Sequence, residues 1–334
     1  MMLFIVIFFL GISLLLYCIL GGADFGAGAL EFFVPRKDHE IHESLVNRAL
    51  GPVWEANHIW LIILIVILFN GFPVVYSEFS IYFHIPLTMM LMGIVFRGCA
   101  FAFRHYDAVK DDTRRYYSLA FSLSSLLTPV MFGMIIGGMM LGVDPQATTY
   151  YQKYAAPWLN VFSFAIGVFV LSLFAYLAGI FLIGEAPEPR LKEYYRQQTK
   201  IWTIVMMTTG AAIFFLAGMQ GHYLLPGFFR NPVSLLCFIF ATFAAVCLWK
   251  ILSTGKAWTL RFIAGFQIGM ALLAWIAAIF PNVFFYKSAP PLSLWTAAAP
   301  PSTINILGWT LILGAVFFLP ALYYLIKVFK TSAE

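Results

Sequence analysis

The sequence predicts an all-α polytopic membrane protein with nine transmembrane helices. Of its 334 residues, 62% are hydrophobic and only 10% are charged, whereas a soluble domain carries about 25% charged residues. The apolar runs are continuous rather than alternating, so a helical bundle is favoured over a β-barrel. Runs long enough to span a bilayer occur at about 2–23, 53–76, 79–103, 117–142, 157–184, 201–225, 232–252, 261–284 and 304–328.

The orientation of these helices is predicted from the basic residues. The loops after the first, third, fifth and seventh runs, together with the C-terminal segment, carry 16 of the 20 Lys and Arg. Cytoplasmic loops of membrane proteins are enriched in Lys and Arg. The N-terminus is therefore predicted to lie outside and the C-terminus in the cytoplasm. The net charge of +5 is spread over short loops and does not indicate nucleic-acid binding.

Asp24 closes the first apolar run, where a carboxylate is rare. An ionisable group within or beside a membrane span is costly, and it indicates a proton relay, an ion site or a buried pair. A structural alternative stays open, in which Asp24 is only a capping residue or a solvated helix end. Small neighbours let helix backbones approach closely, so packing of Asp24 against another helix is favoured by Gly22, Gly26 and Gly28.

Glu55 opens the second apolar run, and it should therefore lie at the same cytoplasmic face as Asp24. Bulky neighbours, Trp54 and Trp60, favour partial burial of its carboxylate. The structural alternative is that Glu55 merely stabilises the positive N-terminus of its helix. The sequence leaves a proton-handling role and this structural role open.

Two arginines lie near the cytoplasmic end of the third run. Arg104 is expected to extend its long side chain to the membrane surface. Arg97 lies two helical turns deeper, about 10 Å by helix rise. A buried guanidinium needs an acidic or carbonyl partner, and we expect Asp24 or Glu55 to provide it.

The sequence does not predict a metal or haem site carried by this chain alone. Glu55 and His58 form one E-x-x-H motif, but a di-iron site needs two such motifs and two further Glu. Three histidines of the basic loops are expected to be solvated, namely His39, His42 and His105. The four cysteines are expected to be small buried apolar residues rather than ligands or disulfides; they are Cys18, Cys99, Cys237 and Cys247.

Four segments, in order along the chain, resemble subunit II of the cytochrome bd-type quinol oxidases. GGADFGAG at 21–28 is similar to the family's G-x-D-x-G-x-G segment, and WEANHIWLI at 54–62 is similar to its W-(D/E)-x-N-x-V-W-L segment. FRG at 96–98 with FR at 103–104 matches an arginine-containing segment, and LSLWTA at 292–297 is similar to an L-T-x-W-D-A segment. The resemblance extends over essentially the full length.

The resemblance implies two four-helix bundles, at 1–143 and 157–284, and a ninth helix at 304–330. It also implies a larger partner, subunit I, that carries the b- and d-type haems and the quinol-oxidising loop. The complex would oxidise quinol near the outer face of the bacterial cytoplasmic membrane and reduce O₂ to water with cytoplasmic protons. This chain would bind no haem, although some members hold a structural quinone, and a small single-span third subunit stays open.

The resemblance further implies that carboxylates of subunit II feed the proton path. We expect Glu55 to be the main uptake group and Asp24 a supporting or parallel relay. Their supporting residues or charge partners would be Arg97, Arg104, Trp54, Asn57 and His58. Two departures from the family pattern are visible: Glu55 stands where Asp is common, and Thr296 replaces the Asp of the outer segment.

Two other functions stay open at this point. Nine spans with buried charge also fit a secondary transporter or channel. Such transporters show a matched pair of interrupted helices at mid-membrane, and the sequence does not display such a pair. A bd-like oxidase with a different electron donor is the second alternative, because the donor site would lie on the partner.

Overall fold

The computed structural model describes residues 1–35, 38–51, 54–106, 113–219 and 224–331, and these ranges are largely helical. Within them, nine helices have the length and apolar composition needed to cross a membrane, which confirms the predicted fold class. The helices are α1 (Met2–Leu16), α2 (Gly22–Phe32), α3 (His39–Leu50), α4 (Trp54–Gly71), α5 (Pro73–Tyr82), α6 (His84–Tyr106), α7 (Thr113–Leu141), α8 (Tyr150–Tyr154), α9 (Val161–Glu185), α10 (Pro189–Met219), α11 (Leu224–Arg230), α12 (Pro232–Ile251), α13 (Ala257–Ile279) and α14 (Pro301–Thr331).

The first span is longer than the sequence predicted. A single π-helical turn, Tyr17–Gly21, joins α1 directly to α2, so the helical run continues to Phe32 instead of ending near residue 23. A π turn places an extra residue in the helix and changes the direction in which the later side chains point. Accordingly α1 packs against α4 and α14, whereas α2 packs against α7 and α9. Asp24 thus lies inside a helix, and its interpretation as a helix end was wrong.

Glycines set how closely α2 approaches its neighbours. A Cβ built on Gly26 would overlap the backbone carbonyl of Phe174 in α9, and one on Gly28 would overlap the Ser125 hydroxyl in α7. Small residues allow this backbone-to-backbone contact. The result is that α2 is buried from Gly22 to Glu31, as the small residues around Asp24 predicted.

Helix α9 is the most buried of the spans. It packs against α2 and α7, which belong to the predicted first bundle, and against α10 and α13, which belong to the predicted second bundle. Side chains buried along it include Phe174, Tyr176 and Leu177. The division into bundles at 1–143 and 157–284 stays a prediction.

Helix α10 also begins earlier than predicted, at Pro189 rather than near residue 201. Its first turns are polar, but Tyr195 is buried and lies against the short helix α3. The Tyr195 hydroxyl and His42 Nδ1 are 2.5 Å apart and share a hydrogen bond. His42 is wholly buried, so its expected solvation was wrong.

At the opposite end of the bundle, a small antiparallel pair of strands covers the helix ends. Strand β1 (Asn282–Phe284) pairs with β2 (Leu292–Ser293). Thr296 comes shortly after β2, and its Oγ1 lies 3.1 Å from Ser293 Oγ. At this position, where the family segment has Asp, the threonine belongs to a local turn.

We predict that Gly26→Ala destabilises the protein, because the new methyl group would meet a backbone carbonyl that has no rotamer to move away. Overpacking of this kind costs about 1–3 kcal/mol. The midpoint of thermal unfolding of the detergent-solubilised protein should fall. Gly11→Ala is the control, because a Cβ there meets nothing in this chain. Equal midpoints for the two variants would contradict the close α2–α9 contact.

A second prediction concerns pH. Burial, with smaller contributions from His39 and Arg104, lowers the pKa of His42 from 6.5 to about 3, so the folded protein holds this imidazole neutral. The unfolded chain takes up a proton below pH 6.5, and this uptake lowers stability by up to about 1.4 kcal/mol per pH unit. The unfolding midpoint should therefore fall from pH 7 to pH 5 more steeply for the native chain than for His42→Gln. Parallel curves would show that His42 is not buried as a neutral ring.

Candidate functional site

Asp24 lies at the junction of α2, α4 and α6 and is 1% exposed. Asn57, in the first turns of α4, donates a hydrogen bond of 2.8 Å from Nδ2 to Asp24 Oδ2. Both side chains are buried. A buried carboxylate is costly unless hydrogen bonds and opposite charge compensate it, and Asn57 supplies the direct part of that compensation.

Arg97 supplies the charge, but at a distance. It is 2% exposed, and its guanidinium interacts with Asp24 through space without forming a direct ion pair among the described residues. Its carbon Cζ lies 4.6 Å from the centre of the Phe25 ring and 5.2 Å from that of Phe121. Cation–π contacts of this kind are stronger when desolvated. The expected partnership with Asp24 is therefore electrostatic, and two aromatic rings hold the arginine.

Aromatic rings pack around the rest of this cluster. The His58 imidazole stacks on Phe25 with centroids 5.8 Å apart. Trp54 contacts both His58 and Phe101, with centroids 6.1 and 5.3 Å apart. Four of the residues expected to support the site, Asn57, Arg97, Trp54 and His58, are thus brought together around Asp24.

Glu55 is not part of this cluster around Asp24. It is exposed on the surface of this chain, so the partial burial expected from its two tryptophan neighbours was wrong. The reason is helical geometry: each residue turns the helix by about 100°, so Glu55 points away when Asn57 faces Asp24. His58 packs on Phe25 instead of pairing with Glu55, and the described part of the chain contains no cluster that could hold a metal ion.

A second charged cluster lies one layer closer to the end of the bundle where α2 and α6 finish. Arg104 Nη1 donates to Glu31 Oε1 at 2.6 Å, and its Nη2 donates to Asn47 Oδ1 at 2.8 Å. Its Nε is 3.7 Å from Glu43 Oε1. The side chains of Arg104 and Glu31 are fully buried, so the expected extension of Arg104 to the surface was wrong.

Our sequence reasoning missed Glu31 and Glu43. The signal for Glu31 was its spacing: Asp24 and Glu31 are separated by seven residues, as are Arg97 and Arg104. Seven residues are nearly two helical turns, so each pair lies on one face of its helix, about 10 Å apart. The α2 and α6 helices therefore place two acid–arginine layers in register.

Neither His84 nor any of the cysteines belongs to these two clusters. Both ring nitrogens of His84 contact oxygens, at 2.9 Å from Ile81 O and 3.2 Å from the Tyr150 hydroxyl. Cys18 is buried as expected, but Cys99 is exposed on this chain, and all four cysteines are free. His105 and His222 have side chains outside the described part of the structure.

Comparisons with known proteins agree with this architecture. The family described as cytochrome bd terminal oxidase subunit II matches residues 2–329. Among curated proteins of Bacillus subtilis, the chain is 24% identical over 297 residues to cytochrome bd ubiquinol oxidase subunit 2, covering 86% of this chain and 84% of that protein. It is 23% identical over 329 residues to a putative cytochrome bd menaquinol oxidase subunit II, covering 94% and 91%.

A solved structure shows the same fold. The bd oxidase from Geobacillus thermodenitrificans contains a chain that superposes with a TM-score of 0.80 at 20% identity, covering 98% of each chain. The family match spans nearly the whole chain, and the nine helices within the described ranges agree with a multi-pass protein of the bacterial membrane. This chain belongs to the cytochrome bd terminal oxidase subunit II family.

Proposed function

We propose that this chain supports the haem-bearing subunit I of a quinol:O₂ oxidoreductase and supplies a route for protons from the cytoplasm. Asp24 carries the proposal: it is a wholly buried carboxylate with an amide donor and an arginine charge nearby. Burial favours the neutral acid, whereas the arginine and the amide favour the carboxylate. Each protonation state of Asp24 is thus favoured by part of its surroundings, which is the arrangement that a proton relay needs.

The direction of transfer in this proposal is inferred from the loops. The helices that bear Asp24 and Glu55 are joined by the first basic loop, whose end of the bundle is predicted to face the cytoplasm. O₂ reduction to water consumes protons, and the resemblance to bd oxidases implies that they come from that side. Glu55, exposed at the start of α4, would collect protons, and Asp24 would receive them further inside.

Asn57 would connect the two carboxylates. It lies two residues after Glu55 on α4 and is bonded to Asp24. The amide itself does not carry protons, but it fixes Asp24 Oδ2 and leaves the other carboxylate oxygen for water. Transfer from Glu55 therefore needs a water chain past the first turn of α4.

The partners and the donor are part of the same proposal. The names of the two Bacillus subtilis relatives give ubiquinol and menaquinol as donors, so we propose a quinol for the complex of this chain. The b- and d-type haems would belong to subunit I. A structural quinone and a small single-span subunit are further associations that the family resemblance implies.

Asp24→Asn tests the proposal, because it keeps the shape of the side chain and removes the proton. We expect quinol oxidase turnover of the purified complex to fall at least tenfold, in line with the roughly 10²–10⁴-fold value of a positioned proton-transfer group. The reduced-minus-oxidised haem spectrum should be unchanged.

Glu55→Gln should also lower turnover strongly, and Glu55→Asp should retain most of it.

The control removes an exposed carboxylate at the same end of the bundle. Glu40 lies in the first turn of α3 and is exposed, so Glu40→Gln should have native turnover. If Asp24→Asn and Glu55→Gln both turn over like Glu40→Gln with haem retained, this subunit does not conduct the protons. Their role would then be structural.

A further inference from the structure

We infer that Glu31 is a further proton-transfer residue of this subunit, placed between the basic end of the bundle and Asp24. The inference rests on the proposed proton route and adds a second branch to it. Glu31 is 0% exposed. Its Oε1 accepts the hydrogen bond from Arg104, while its Oε2 has no hydrogen-bond partner among the described residues.

An unpartnered carboxylate oxygen at full burial is costly, because it has lost water without gaining a donor. A purely structural ion pair would place both oxygens on donors, as bidentate arginine–carboxylate pairs do. The Oε2 atom is instead positioned to take a proton or to bind a water molecule. The arrangement is that of a group which exchanges a proton while Oε1 stays anchored.

Arg104 remains paired when Glu31 is protonated. Glu43 Oε1 lies 3.7 Å from Arg104 Nε on the other side of the guanidinium. Two carboxylates near one arginine repel each other, and protonating one of them relieves that repulsion. Protonation of Glu31 therefore leaves no buried arginine without a counter-charge in this described cluster.

The surroundings of Glu31 contain few other charges. The charged and titratable groups around it within the described ranges come from three helices, and they are Glu43 and His42 of α3, Arg104 of α6 and Tyr195 of α10. Helix α7 contributes Phe121, whose ring lies 4.4 Å from Arg104 Cζ.

A cavity lies at the basic end of the bundle, near this cluster but not in contact with it. Its volume is about 430 Å³, and it lies between the α2–α3 turn and α10, where it is lined in part by Asp38, His42 and Arg190. His42 is hydrogen-bonded to Tyr195 at the inner wall. Protons that reach this cavity are thus separated from the Glu31 layer by the side chains of α3.

The step from Glu31 to Asp24 has an intermediate hydroxyl. The two carboxylates are about 10 Å apart along α2, which is too far for direct transfer. Gly28 lies between them on the same face, and the Ser125 hydroxyl lies against it. Ser125 is buried and donates to Phe121 O at 2.7 Å. To pass a proton on, its oxygen would accept one from the Glu31 side, and its own proton would turn from Phe121 O towards the Asp24 side. No bond other than O–H is made or broken in this transfer.

Glu31→Gln tests the inference in the intact complex, because the amide oxygen still accepts from Arg104 but the side chain carries no proton. We expect turnover to fall at least about tenfold at pH 7.5 and to recover as the pH is lowered. Proton uptake by the reduced complex, measured with a pH-sensitive dye after O₂ is added, should slow by the same factor. Glu31→Asp should retain most of the native rate.

A second pair of variants leaves the ion pair intact. Ser125→Ala should slow dye-detected proton uptake severalfold with native haem spectrum and native unfolding temperature. Ser124→Ala is its control, since Ser124 is a neighbouring buried serine on α7 that does not lie against Gly28. If the Glu31→Gln complex fails to assemble, the two serine variants test the inference instead. Proton uptake at the native rate in both Ser125→Ala and Ser124→Ala would overturn it.

Three other results would overturn it and locate the fault. Native turnover in Glu31→Gln, with Asp24→Asn impaired, removes Glu31 and leaves the proposed function standing. Native turnover in Glu31→Gln, Asp24→Asn and Glu55→Gln removes the proposed function as well. A loss in Glu31→Gln that is equal at every pH, shared by Glu31→Asp and accompanied by a lower unfolding temperature, assigns Glu31 to a structural ion pair.

Discussion

The close contact of α2 with α7 and α9 is the constraint on which the rest of the site depends. Asp24 and Glu31 both lie on α2, and neither could be withdrawn from lipid if this helix stood at an ordinary distance from its neighbours. Glycine at positions 26 and 28 removes the side chains that would hold the backbones apart. The helix is therefore buried from Gly22 to Glu31 and brings two carboxylates into the protein interior.

The two acid–arginine layers differ in how their charges are compensated. In the layer of Asp24 and Arg97, Asp24 accepts a hydrogen bond from Asn57, and Arg97 interacts with it at a distance while its guanidinium packs on aromatic rings. In the layer of Glu31 and Arg104, which is nearer the basic end of the bundle, the two side chains are in direct contact. Glu43 Oε1 also lies 3.7 Å from Arg104 Nε, so Arg104 keeps a counter-charge when Glu31 is neutral.

Particular residues show how far sequence reasoning reached. The groups around Asp24, namely Arg97, Asn57, Trp54 and His58, were expected from the family resemblance, and Arg97 and Asn57 among them are buried. Glu55 was misplaced because a tryptophan neighbour in sequence says little about which side of a helix faces the core. Glu31 was missed because it appeared to lie beyond the first span, which in fact continues for nine further residues, from 23 to 32. Arg104 was misjudged because its buried partner Glu31 had not been identified.

The sequence by itself determined the number of spans, the family and the presence of Asp24, Glu55 and Arg97 at span ends. These depend on local composition and on short motifs, which act at the scale of one helix. Only the tertiary structure decided which of those residues meet. The π turn at Tyr17–Gly21 sets the face that α2 presents, and the glycine contacts with α7 and α9 set its depth. Burial and pairing of a carboxylate depend on both, because they are properties of packing between helices distant in the chain.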